Sequence, residues 1–120
     1  MGGMATTLLI VDDHDAFRAS ARSLLERHGL EVVGEAHDGE SAVRAAGELR
    51  PDVVLLDVQL PDRDGFEVAA RLAELDPAPA VVLTSSRDRT EFGALVAESS
   101  ARGFIGKAEL SGDRIAALVG

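Results

Sequence analysis

The sequence predicts an α/β fold, a doubly wound parallel sheet of five strands with helices on both faces. Three observations predict it. Strand-like apolar runs start near positions 7, 30, 52, 80 and 103, so successive starts lie 23, 22, 28 and 23 residues apart, the length of one strand-plus-helix unit. Between the runs, apolar residues recur at helical spacing. The central run Val53-Val-Leu-Leu56 is apolar at every position, as a strand covered on both faces requires. Such alternation implies right-handed crossovers.

Each element has its own signal. Thr7-Leu-Leu-Ile-Val11 is the first strand and stops at Asp12-Asp13. Phe17, Ala21, Leu24, Leu25 and His28 mark the first helix, which Gly29 ends. Leu30 to Ala36 alternates apolar and polar and reads as a strand near a sheet edge. Asp38-Gly39 opens the second helix, with Ala42, Val43, Ala46 and Leu49 inward. Arg50-Pro51 closes it, because a residue before proline leaves the helical region. After Asp57 and the loop from Val58 to Gly65, Phe66, Ala69, Ala70, Leu72 and Ala73 mark a third helix running towards Asp76-Pro77-Ala78-Pro79. Ala80-Val-Val-Leu83 is the fourth strand. Phe92, Leu95, Val96 and Ser99 give a weak fourth helix. Gly103-Phe-Ile105 is a short fifth strand, and Ser111 caps a last helix with Ile115, Leu118 and Val119 inward. Residues 1–6 read as an N-terminal extension or an added remnant, and 7–120 as one domain.

Composition narrows the function classes. The 120 residues carry a net charge of −9, which argues against direct nucleic-acid contact by this domain. There is no cysteine, which removes disulfides, thiolate metal sites and cysteine nucleophiles. No apolar run approaches the ~18 residues of a membrane span, and the start lacks a signal peptide, so a cytoplasmic location is expected. Of 12 basic residues, 11 are Arg, and Lys107 is the single Lys. A lone Lys among arginines fits a position that needs a compact charge on a flexible stem.

In an open parallel sheet, ligands bind beyond the carboxyl ends of the strands. Asp12 and Asp13 stand there after the first strand, Asp57 after the third, Thr84 after the fourth and Lys107 after the fifth. Three neighbouring carboxylates repel unless a cation neutralises them. Oxygen ligands with open positions suit Mg²⁺, while a hydroxyl and an ammonium suit a phosphoryl group. The set is one for Mg²⁺-assisted phosphoryl chemistry with a carboxylate nucleophile.

Four stretches carry a resemblance: Leu8-Leu-Ile-Val-Asp-Asp-His14, Leu55-Leu-Asp-Val-Gln-Leu-Pro-Asp-Arg-Asp-Gly65, Val81-Val-Leu-Thr84 and Gly103-Phe-Ile-Gly-Lys107. In this order and spacing, over nearly the whole chain, the sequence resembles the receiver domain of bacterial two-component response regulators, nearest those of helix-turn-helix transcription regulators of the LuxR/NarL type. The resemblance implies a flavodoxin-like (βα)5 fold with strand order 2-1-3-4-5. It implies that Asp57 accepts a phosphoryl group from a sensor histidine kinase or an acyl phosphate. Mg²⁺ would be held by Asp13, by Asp12 largely through water, by Asp57 and by the backbone carbonyl of Gln59. Thr84 and Lys107 would bind the phosphoryl group, and Thr84 and Phe104 would switch the face of helix four, strand five and helix five. Gln59 and Ser86 would tune dephosphorylation. An output domain or downstream protein would read that face, and the sequence leaves phosphorylation-dependent dimerisation open. On this reading the domain is a switch rather than a turnover enzyme.

Plainer roles compete. Asp12 or Asp13 alone would serve as a helix cap, Asp57 as a turn residue, Thr84 as a strand end and Phe104 as core. His14, His28 and His37 match no metal motif and read as surface or helix-end residues. An aspartyl phosphatase is the enzymatic rival, but its nucleophile follows the first strand and its capping insertion has no room here. A non-phosphorylated receiver-like binding module is the other rival. Four departures from the family pattern bear on it. Ala108 follows Lys107 in place of proline, so a trans bond is expected, since a non-proline cis bond costs about 2.5–4 kcal/mol. Ser100 replaces a helix-ending Gly and would be strained in a left-handed conformation. Gly106 and Ser85 also depart, and together the four predict a loose fourth helix and fifth strand.

Overall fold

The computed structural model describes residues 5–119; Met1–Met4 of the expected N-terminal extension, and Gly120, lie outside the described residues. Five parallel strands, β1 (Thr7–Val11), β2 (Glu31–Ala36), β3 (Val53–Asp57), β4 (Ala80–Ser85) and β5 (Gly103–Gly106), form one sheet in the order β2-β1-β3-β4-β5. The flavodoxin-like order and the edge position of β2 match the sequence reading. Helices α1 (Asp15–Arg27), α2 (Gly39–Leu49), α3 (Gly65–Leu72), α4 (Leu95–Glu98) and α5 (Gly112–Val119) connect or follow the strands. None is long and apolar enough to cross a membrane.

The two faces of the sheet make two cores. Alternate residues of β1 and β3 divide between them: Leu9, Val11, Val54 and Leu56 pack with Ala42, Ala46, Val68 and Leu72 of α2 and α3. Leu8, Ile10, Val53 and Leu55 pack with Ala21 and Leu25 of α1 and Ile115 of α5. All five β3 residues are buried, which is why that run shows no polar alternation.

Local chemistry explains most boundaries. Gly29 takes a left-handed φ of +84° and its N–H donates to Glu26, ending α1. Asp38 and Ser41 form a reciprocal capping box at α2, and the Ser111 hydroxyl accepts the Arg114 N–H at α5. Four expectations need correction. Arg50 closes α2 in a left-handed conformation (φ 49°), not an extended one, its N–H donating to Ala46. Leu49 is 44% exposed instead of inward, because it lies over Gly34 of the edge strand, which has no side chain to bury it. The inner face of α3 is Val68, Ala69 and Leu72; Ala70 and Ala73 face out and α3 stops before the prolines. Ser100 is not left-handed, since Arg50 is the single positive-φ non-glycine among the described residues. Helix α4 ends earlier, at an extended Ser99 whose hydroxyl donates to Val96 O and accepts the Ala101 N–H. Lys107–Ala108 is trans, as expected; the only cis bond among the described residues is Asp76–Pro77.

Candidate functional site

The carboxyl edge of the sheet gathers the residues. Asp12 continues the β1 ladder, its N–H donating to Ala36 O at 3.0 Å, so its side chain is fixed and fully buried. Arg18 of α1 donates to the Asp12 carbonyl and pairs with Asp15 and Glu35, tying β1, α1 and β2 together. Asp13 is half-exposed at the rim. Asp57 is the last residue of β3 and 4% exposed. Its Oδ1 accepts the Gln59 N–H at 3.2 Å, which folds the following loop over the strand end. That loop is drawn tight at Gly65. A side chain there would meet the Asp57 carbonyl at 2.5 Å and Val58 Cα at 2.7 Å, so only glycine lets α3 start this close.

Lys107 joins the two acids. Its Nζ lies 2.6 Å from Asp12 Oδ2 and 3.5 Å from Asp57 Oδ2, and 4.3 Å over the Phe17 ring. The 2.6 Å contact is ionic and not aligned as a hydrogen bond; Asp12 Oδ2 has no other partner. Thr84 pairs with Asp57 across the β3–β4 ladder and is fully buried, and its Oγ1 has no hydrogen-bond partner. A buried hydroxyl without a partner costs free energy, so Thr84 Oγ1 is a candidate donor to a group bound beside Asp57.

The two buried acids are pushed apart. Burial would raise Asp12, but the Lys107 ammonium and the His14 N–H overcome it and hold Asp12 below the usual carboxylate range. Burial also raises Asp57, and the Asp12 charge adds to that against the Gln59 N–H and Lys107, so Asp57 is pushed up to about 6. With Asp13, three carboxylates face one ammonium. Such a set fits a hard divalent cation, because the donors are mainly oxygens and one positive charge leaves them uncompensated. Donor atoms of Asp12, Asp13, His14 and Asp57 all lie within 4.8 Å of one another.

The remaining sequence-predicted residues sit around this cluster. Gln59 is exposed and bridges Asp64 across the loop. Ser86 and Phe104 stand on the β4–β5 side of the site. They line a neighbouring cavity of about 380 Å³ together with Lys107 and Arg114. Phe104 is half-buried and packs on Phe92 (centroids 5.8 Å apart), which packs edge-on against Phe66 at 6.0 Å. His14, read as a surface or helix-end residue, is both, the exposed N-cap of α1, and its Nδ1 also lies 2.9 Å from Asp12 and 3.1 Å from Asp13. Sequence reasoning missed this contact with the acids and one further participant. Phe17, read only as helix core, forms a wall for Lys107. Their positions, two and five residues after Asp12 at the start of α1, were the available signal.

Comparisons with known proteins agree with this geometry. The sequence model of the response regulator receiver domain matches residues 8–119. The chain is 40% identical over 116 residues to a protein-glutamate methylesterase/protein-glutamine glutaminase of Alkalilimnicola ehrlichii, covering 92% of this chain and 29% of that protein. It is 32% identical over 110 residues to the DNA-binding transcriptional activator EvgA of Escherichia coli K12, covering 92% and 54%. Among solved structures, a LuxR-family two-component response regulator from Aurantimonas sp. superposes with a TM-score of 0.84 at 31% identity, covering 95% of this chain and 85% of that one. The chain spans about half the length of the curated transcription regulators it matches. By sequence, strand order and the placement of its acidic edge, the chain belongs to the response regulator receiver domain family.

Proposed function

We propose that residues 7–120 form a phosphorylation-controlled switch in which Asp57 accepts a phosphoryl group with Mg²⁺ bound at Asp12, Asp13, Asp57 and the Gln59 carbonyl. The observation that carries the reading is the pairing of a buried Asp57 with Lys107 at 3.5 Å and with an unpartnered Thr84 hydroxyl one ladder step away. Bound Mg²⁺ would neutralise the carboxylates and polarise the oxygens of the incoming phosphoryl group. An Asp57 oxygen forms the new O–P bond while the donor's bond to phosphorus breaks, and the donor leaves as imidazole or carboxylate. Lys107 and Thr84 then hold the phosphoryl oxygens, as their donors are placed before the reaction.

The added charge of about −1.5 to −2 draws Thr84 towards it, and Phe104 follows into the space behind, changing the α4–β5–α5 face. Gln59 and Ser86 flank the route of a hydrolytic water and tune the lifetime of the adduct. The donor is a sensor histidine kinase or an acyl phosphate in the cytoplasm. The reader is an output domain or a downstream protein; this acidic domain makes no nucleic-acid contact itself, and pairing of two phosphorylated copies is a further outcome. The domain turns over no substrate beyond its own phosphorylation and slow hydrolysis.

Intact mass after incubation with acetyl phosphate tests the reading. A single phosphoryl adduct that needs Mg²⁺ and is absent in Asp57→Asn is expected. No adduct in the wild type, with Mg²⁺ plus beryllofluoride also leaving Tm unchanged, would turn the reading to a non-phosphorylated binding module.

A further inference from the structure

Asp62 stands in the loop that runs from Asp57 to α3, inside the bridge that Gln59 makes with Asp64, and its carboxylate reaches another helix. Oδ1 accepts the Gly39 N–H at 2.8 Å and Oδ2 the Glu40 N–H at 3.1 Å, the first two N–H groups of α2. Such groups have no partner within their own helix, and a carboxylate suits the positive end of the helix dipole. Helix α2 already has its own cap, since Asp38 accepts the Ser41 N–H at 2.8 Å, so it does not depend on a second acid to start. Among the described residues, every other hydrogen bond of residues 59–64 stays within residues 57–68. Asp62 is what ties the loop to a different element. Gly39 leaves room for the clasp, because a side chain there would meet Val68 Cγ2 at 2.8 Å, Arg63 Cδ at 3.1 Å and Asp62 Oδ1 at 3.3 Å.

We propose that Asp62 is a positioning residue: its clasp on the start of α2 holds the loop so that the Gln59 carbonyl keeps the orientation a cation at Asp12, Asp13 and Asp57 requires. The proposal rests on the metal-site reading above. The two ends of the loop have local anchors, the Gln59 N–H on Asp57 Oδ1 at 3.2 Å and the Gly65 N–H on the Val58 carbonyl at 2.6 Å. Between them Gln59, Pro61, Asp62 and Asp64 are exposed, so packing does little to fix the peptide planes. A carbonyl that is free to turn must be ordered when the ion binds, which weakens binding, and a tether made beforehand removes that cost. Asp62 thus acts on the ion through the backbone of Gln59 and is no ligand itself. It lies outside the set that the family resemblance implies.

Calorimetric titration of the whole chain with Mg²⁺ tests this. Asp62→Ala is expected to weaken Mg²⁺ binding about tenfold. Asp38→Ala removes a cap and a negative charge at the same end of α2 but leaves the loop tethered, and its affinity is expected to stay within about twofold of wild type. Asp62→Asn loses the charge and keeps one acceptor oxygen for α2, so its affinity is expected to fall between wild type and Asp62→Ala. It also serves if the alanine variant folds poorly. Asp62→Ala within about twofold of wild type, or Asp38→Ala weakened as much as Asp62→Ala, overturns the role of Asp62. So does an asparagine variant as weak as the alanine one, because charge and not the tether would then set the affinity. Wild type that binds no Mg²⁺, or Asp13→Asn that binds it unchanged, overturns the metal-site reading instead, and the two failures are distinct.

Discussion

The half of the domain built on β1, β2, α1 and α2 has long helices tied by ion pairs, whereas the half built on β5, α4 and α5 has short helices and, among the described residues, no ion pair but those of Lys107. In the first half, Arg18 and Arg22 both pair with Glu35, at 3.0 and 2.8 Å, and α1 and α2 run 13 and 11 residues. In the second, a 3-10 turn (Arg89–Phe92) precedes a four-residue α4, β5 has one buried residue, and Leu95 is 51% exposed. Arg87, Arg89 and Arg114 line a cavity there without an ion pair among the described residues. Asp12 and Asp57 stand at the ends of β1 and β3, and Lys107 and Phe104 belong to the loose half. The proposed switch would use both: a rigid site for charge, and a neighbouring region whose alternatives differ little in free energy.

Core truncation should separate the halves most widely. Leu25 of α1 is fully buried, and Leu25→Ala removes packing that cannot collapse, at a cost of about 2–5 kcal/mol. Phe92, half-buried between two rings, should cost less when replaced by Ala, roughly 1–2 kcal/mol, because it faces space already open. Urea denaturation measures both. Equal costs would mean that α4 and β5 are as firmly packed as α1.

The site itself has a smaller, pH-dependent effect. Asp57 is pushed up to about 6 in the folded protein and returns to about 3.9 when unfolded. The folded state therefore binds this proton more tightly, and ionising Asp57 destabilises the fold as pH rises from about 4 to about 6. Without metal, Asp57→Asn should raise stability at pH 7 by on the order of 1–3 kcal/mol, with the gain gone below about pH 4. Mg²⁺ should raise the wild-type Tm and narrow the gap. Thermal unfolding across pH checks this, and a variant less stable than wild type at pH 7 would mean that Asp57 contributes more through Lys107 than burial costs it.

Most of the fold was legible because its signals are local. Continuous apolar runs, Gly29, Asp38 and Ser111 each act within a few residues of themselves. The acidic edge was legible because topology brings strand ends together whatever the side chains do. What escaped depends on contacts distant in sequence or on rotamers. Leu49 reads as inward on its helix, and only the facing Gly34 leaves it uncovered. Phe17 lies 90 residues from Lys107, and no pattern joins them. His14 is the surface, helix-end residue its position suggests, and only the turn of its ring towards Asp12 and Asp13, a rotamer, escaped.

The same distinction sets the smallest expected effect. The sequence alone makes Ser100 a strained stand-in for glycine, and a Ser100→Gly change would then stabilise the protein by about 1 kcal/mol through relief of a left-handed serine. In the structure α4 has already ended at Ser99, whose hydroxyl bonds to both Val96 O and Ala101 N–H, and Ser100 donates to Ala69 O of α3. Glycine would relieve nothing, lose that link and widen the unfolded ensemble. The expected change is a loss within about 0.5 kcal/mol, read as a small fall in Tm. A rise in Tm would show that α4 extends past Ser99 in solution, and the loose half would then be firmer than its short helix implies.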